Sequence, residues 1–167
     1  MPTLTQTITE TITMDTGEVN STTTETIASI VDIYKRVLTI PASNDVIAAA
    51  FVDDIGADAD PSVDQFDKQN VKYIRVTNID STNPITVNIL IDVGAGATAD
   101  GNIAHLLEAG KSLILWGKAS GGLSTSLGCS DSASTAIAPA SDIVNITLDS
   151  VSATAKCELF IASTVVS

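Results

Sequence analysis

One histidine, two cysteines, one tryptophan, two tyrosines and three phenylalanines are all this chain of 167 residues has of the side chains on which most protein chemistry depends. With His105 alone, no site that needs two imidazoles can be built within one chain, which removes the histidine-rich zinc centres. Beside Leu106 and Leu107, that histidine reads as a packing or surface residue rather than a general base. Cys129 and Cys157 are too few and too far apart for a disulfide-stapled scaffold and form no Cys-x-x-Cys pair; they read as small buried hydrophobes. The aromatic supply, Tyr34, Phe51, Phe66, Tyr73, Trp116 and Phe160, is too thin for the stacking platforms of a sugar-cleaving cleft.

Positive charge is scarce as well. Lys and Arg number 8 against 20 Asp and Glu, a formal charge of −12, and no basic cluster occurs along the chain. Phosphate neutralisation needs cations gathered on one surface, so no nucleic-acid partner is expected. Apolar runs are short and broken by Asp, Asn or Thr, well under the ~20 residues of a membrane helix, and the first residues lack the basic region and apolar core of a secretory signal. The expectation is a soluble protein made in the cytoplasm, with no membrane partner.

Motifs that resemble catalytic fingerprints fail on inspection. Ala109-Gly110-Lys111-Ser112 imitates the end of a P-loop, but its first glycine would fall at His105 and Ser112 opens a strand instead of a helix. Gly94, Gly96 and Gly101 lack the spacing of a dinucleotide site, and no Gly-x-Ser-x-Gly elbow is present. Asp53, Asp54, Asp58, Asp60, Asp64 and Asp67 crowd one segment that could offer oxygens to Ca²⁺. The EF-hand order is absent, because Gly56 precedes Asp58 and Asp60, and the segment reads as a solvated acidic loop. The expectation is no enzyme, no catalytic residue, no cofactor and no metal site.

What the chain does have is alternation. Thr3, Thr5, Thr7, Thr9, Thr11 and Thr13 share one parity, with Leu4, Ile8, Ile12 and Met14 on the other. This is a single strand roughly 35 Å long with a threonine face and an aliphatic face. Asp15 to Glu18 signals a turn, and the polar run Asn20 to Thr26 either loops out or continues as a solvated edge. Residues 1–26 are therefore expected to form an N-terminal arm and 27–167 the body. A long uncharged edge strand invites pairing outside its own domain, and Leu4, Ile8 and Ile12 are its candidate partner-binding residues.

In the body, Ile27 to Ile40 reads as a strand with a bend that ends at Pro41, and Val46 to Val52 as a buried strand. Asp53 to Lys68 reads as a long loop. Val71 to Ile79 and Ile85 to Ile91 alternate on either side of Asp80-Ser81-Thr82-Asn83-Pro84 and are expected to form an antiparallel hairpin. Short strands flank Glu108 to Lys111, a Gly/Ser/Ala tract from Lys118 to Ser134 reads as loop, and Ile143 to Leu148 and Cys157 to Ala162 close the chain as strands. Roughly eight or more strands with few credible helices indicate an all-β antiparallel sandwich, jelly-roll-like in type.

Tyr73-Ile74-Arg75-Val76-Thr77-Asn78-Ile79-Asp80, the segment Asn83 to Ile91, and Leu107-Glu108-Ala109-Gly110-Lys111-Ser112-Leu113-Ile114-Leu115 together resemble β-sandwich structural proteins of tailed-bacteriophage virions. That resemblance implies a homotrimeric capsid cement or decoration protein, with the major capsid protein or a neighbouring virion subunit as partner and the virion as location. Such a protein would stabilise the assembled head by binding it selectively. A phage neck, tail or head-fibre component is the alternative within virions. A glycan- or receptor-binding sandwich, with Trp116 as its stacking residue, is the alternative outside them.

Overall fold

The computed structural model describes residues 2–52, 64–92, 101–117, 142–150 and 152–164. Four acidic residues of the Ca²⁺ candidate (Asp53, Asp54, Asp58 and Asp60), the Gly/Ala-rich stretch 93–100 and the tract 118–134 lie outside them. The described residues form strands β1 (Thr3–Met14), β2 (Gly17–Ala28), β3 (Asp32–Ile40), β4 (Val46–Val52), β5 (Gln65–Asp67) and β6 (Val71–Asn78). They continue as β7 (Ile85–Asp92), β8 (Gly101–Leu107), β9 (Ser112–Trp116), β10 (Asp142–Ser150) and β11 (Ala155–Ser163).

The first strand is where its alternation puts it, but it is not alone. β1 pairs antiparallel with β2 along its whole length, from Thr3 opposite Ala28 to Met14 opposite Gly17. The solvated Asn20 to Thr26 segment is thus the return strand of a hairpin and not a loop. β-branched threonines suit this exposed ladder, and the Thr7 and Thr24 hydroxyls meet across it at 3.2 Å. Between β2 and β3, Ser29 takes the left-handed conformation (φ 63°). That break divides the expected Ile27 to Ile40 strand into two.

The body is two sheets, ordered β5-β4-β10-β7-β8 and β3-β11-β6-β9, antiparallel throughout except for the short parallel pair β4–β5. The expected hairpin of Val71 to Ile79 with Ile85 to Ile91 does not form. β6 lies between β11 and β9, whereas β7 lies between β10 and β8 in the other sheet. Residues 79–84 therefore arch from one sheet to the other. The physical reason is that both segments carry an aliphatic face, and those faces meet across the core instead of side by side. The fully buried Ile74 and Val76 of one sheet and Ile85, Val87 and Ile91 of the other belong to a single cluster with Leu148 and Leu159.

The arch is held by two side chains. Asp80 accepts hydrogen bonds from the backbone N–H groups of Thr82 and Asn83, each at 2.9 Å, and Pro84 follows. Asn78, fully buried, donates through Nδ2 to the Asn83 carbonyl (2.9 Å) and the Leu107 carbonyl (3.0 Å), and its Oδ1 accepts from the Asp80 N–H (3.0 Å). A second crossing leads from β8 to β9 through residues 108–111, where the Lys111 N–H bonds the Glu108 carbonyl at 3.1 Å. Gly110 there takes φ 73°, a conformation that favours glycine.

Setting β5 aside, the other eight body strands pair first with last. β3 lies against β11, β4 against β10, β6 against β9 and β7 against β8. The architecture is all-β, multi-sheet and antiparallel, with an extended N-terminal strand.

Candidate functional site

The most unusual surface is the arm. Leu4, half-buried, and the buried Ile27 and Ile30 pack with Tyr73, Ala162, Ile114 and Phe160 on the outward face of the β3-β11-β6-β9 sheet. Outward of the Gln6–Glu25 pair every arm residue is exposed, so the hairpin projects about 27 Å beyond that root at the usual rise per residue. Its two faces differ. One carries Thr5, Thr7, Thr9, Thr11 and Thr13 beside Thr22, Thr24 and Thr26. The other carries Ile8, Ile12 and Met14 beside Val19, each of them 42–59% exposed.

A second open apolar stripe lies on the body. β3 is an edge strand of its sheet; Leu38 and Ile40 point to the core, while Ile33 and Val37 stand out at 57% and 54% exposure, with Val31 just before the strand at 58%. Lys35 lies between Ile33 and Val37 and pairs with Glu158 at 3.0 Å. Arg75 reaches the same carboxylate at 2.8 Å and stacks over the Phe160 ring, 5.4 Å from its centroid. The register sets Lys156 opposite Thr39 and Glu158 opposite Val37. This face therefore holds three cations, Lys35, Arg75 and Lys156, around one anion.

Hydrogen bonds from Lys35 and then Arg75 hold Glu158 below the usual carboxylate range. The N–H groups of Asn83 and Thr82 do the same for Asp80. A carboxylate with a depressed folded pKa contributes stability above its unfolded pKa, about 4, and that contribution is lost as pH falls through the folded value. The urea midpoint is therefore expected to fall on acidification below about pH 4. Asp80→Asn, which keeps one acceptor oxygen, should flatten that fall; an equally steep fall in the variant would assign it to other groups.

A shallow cleft of about 190 Å³ is lined by Tyr34, Asp64, Gln65 and Phe66. The Tyr34 hydroxyl donates to Asp64 Oδ2, which also pairs with Arg36, and burial followed by the Asp64 hydrogen bond raises the Tyr34 pKa. Asp67 is engaged by the Gln69 N–H and Asn70 Nδ2. Both described members of the Asp53 to Asp67 group thus act as internal acceptors. No group of three or more His, Cys, Asp or Glu side chains able to hold a metal occurs among the described residues.

Cys157 is unpaired and fully buried in the core, and burial pushes its thiol up to about 12. In a Cys129→Ser variant, the remaining thiol is expected to stay unmodified by a thiol-specific reagent at pH 8 until denaturant is added. Stoichiometric native labelling would show that the β11 core opens.

The sequence-predicted residues separate into two groups. Ile8 and Ile12 stand on the open face of the arm, whereas Leu4 lies at its root against the body. Trp116, 39% exposed, ends edge strand β9 opposite Tyr73, and His105 is exposed on edge strand β8. Sequence reading missed the β3 stripe, because it treated Ile27 to Ile40 as one segment. The parity of Ile33, Lys35 and Val37 against Leu38 and Ile40 was the available signal.

The sequence matches no protein-family model and no curated protein. A chain from a solved structure of Bacillus endospore appendages, described as a novel family of disulfide-linked pili, is similar at 18% identity with a TM-score of 0.41. The match covers 83% of this chain and 90% of that chain. It falls on a bacterial appendage and not on a virion protein. The expected kinship with tailed-bacteriophage proteins is corrected accordingly, and with it the cement role, the trimer on a major capsid protein and the virion location. The short segments that carried the resemblance are explained by the fold: Asn78 and Asp80 tie a cross-sheet arch, and Gly110 closes a turn, as many β proteins require.

Proposed function

We propose that this chain is a non-enzymatic structural subunit that assembles with copies of itself through the β1–β2 arm. The observation that carries this reading is the arm's exposure. A lone two-stranded ribbon is marginal in water, yet this one extends well beyond the body with Ile8, Ile12, Met14 and Val19 uncovered on a single face. Those side chains are 42–59% exposed, so burying the remainder of each against a partner is worth roughly 0.7–1.5 kcal/mol before ordering costs. The division into an arm of residues 1–26 and a body of residues 27–167 is part of this reading, with Leu4, Ile8 and Ile12 as arm residues that root it or engage the partner. The nested pairing β3–β11, β4–β10, β6–β9 and β7–β8 supports naming the body a jelly roll, a rigid block suited to repetition.

The test shortens the arm without disturbing its root. Gln6 and Glu25 lie opposite each other, so residues 7–24 can be replaced by an Asn-Gly turn. Sedimentation of the full chain is expected to show concentration-dependent assembly, and the shortened chain to be monomeric with unchanged body melting. Equal assembly by both chains, or a full chain that stays monomeric at high concentration, would remove the proposal.

A further inference from the structure

We infer that the receiving surface for the arm is the outward face of β3, with Lys156 and Glu158 of β11 beside it, on a second copy of this chain, so that subunits join head to tail; this rests on the self-assembly reading above. Three observations lead there. The first is pattern. The arm presents Ile8-Glu10-Ile12 along one side of β1, and the body presents Ile33-Lys35-Val37 along one side of β3. In each, two apolar side chains lie four residues apart, about 13 Å along a strand, with a charge midway between them. The charges are opposite, so stacking the two faces at the usual inter-sheet distance sets isoleucine and valine together and Glu10 near Lys35.

The second observation is charge on a larger scale. Residues 1–28 contain Glu10, Asp15, Glu18 and Glu25 and no Lys or Arg, whereas the receiving face gathers Lys35, Arg75 and Lys156 around Glu158 in a chain whose formal charge is −12. An acidic arm meets one of the few cationic surfaces this protein offers. The third is that both faces are open at once in the same molecule. Ile12 is 59% exposed while Ile33 is 57% and Val37 is 54% exposed, so the chain's own arm does not cover its own stripe. An arm and a stripe on different parts of one subunit make a heterologous contact, which closes into a ring or runs on as a filament.

The experiment uses full-length chains carrying one defect each. Ile12→Asp places a charge in the arm face, and Ile33→Asp with Val37→Asp places charges in the receiving face; all three positions are exposed, so both variants are expected to keep the wild-type melting temperature. Each variant alone should associate at least about 100-fold more weakly than wild type. An equimolar mixture should then form discrete heterodimers, because the intact arm of one variant meets the intact stripe of the other. Light scattering and sedimentation read this directly. Assembly of the Ile33/Val37 variant at wild-type strength would overturn the inference while leaving arm-driven assembly standing. Two inactive variants that remain monomeric when mixed would overturn it as well. A wild-type chain that never assembles removes the self-assembly reading itself.

Discussion

Asn78→Ala is expected to destabilise the body by about 3 kcal/mol, lowering the melting temperature by roughly 6–12 °C for a domain of this size. The reason is placement more than number of bonds. Asn78 sits at the end of β6 with no exposed surface and binds three separate pieces of backbone: the Asn83 carbonyl at the far end of the arch, the Leu107 carbonyl at the end of β8 and the Asp80 N–H at the start of the arch. Its own backbone completes the junction with the 108–111 turn, accepting from the Gly110 N–H and donating to the Lys111 carbonyl, both at 2.9 Å. Alanine keeps the main-chain bonds and orphans the rest, and a buried carbonyl without a donor costs more than the bond it lost was worth. Asn78→Asp should be at least as harmful, because it sets a carboxylate oxygen against carbonyls that require N–H donors. Asn88→Ala, at an outward and half-buried position of β7, is the control and should change stability by less than about 0.5 kcal/mol. Equal effects at the two sites, measured by urea unfolding, would refute the assigned role.

Leu159→Ala is expected to have the largest effect of any single truncation, about 4 kcal/mol, by loss of apolar burial plus the cavity left behind. Leu159 is fully buried on β11, between Arg36 of β3 and Val76 of β6 in register, so strands paired on both sides limit how far the backbone can collapse into the space. Truncation to alanine at an arm residue such as Thr9, which is exposed and outside the core cluster, should leave unfolding unaltered. That contrast would separate the two parts of the molecule energetically, since Leu159 belongs to the buried cluster of the two sheets and Thr9 does not. A Leu159→Ala loss under 1 kcal/mol would show that the β11 core is loosely packed.

Much of the candidate site was legible in the residues. The threonine and aliphatic parities of β1 are visible along the chain, and Ile8 and Ile12 stand on the open face those parities define. The return strand was not legible, because Asn20 to Thr26 is polar on both parities and a solvated strand has no burial signal to distinguish it from a loop. The stripe on β3 went unread for a related reason. Parity sets Ile33 and Val37 on the face opposite Leu38 and Ile40, but that this outward face stays open, with the arm root covering Tyr73, Ala162 and Phe160 instead, is decided only by the fold. The segments that carried the virion resemblance, Tyr73 to Asp80, Asn83 to Ile91 and Leu107 to Leu115, include the arch tie at Asn78–Asp80 and the turn at Gly110, which solve a geometric problem common to β proteins and so carry little information about kinship.

The all-β class, the positions of most strands and the division of most of them into two faces follow from period-two alternation, a local property read within a few residues. Strand partners do not. Val71 to Asn78 and Ile85 to Asp92 are neighbours in the chain and alternate in the same way, yet they belong to opposite sheets, while Ile40 lies opposite Ala155 and Leu148 opposite Val46. Alternation says that a face must be buried but not against what. That choice is made when two sheets close over one apolar layer, because only the complete nested arrangement removes both inner faces from water together while pairing the backbone of every central strand.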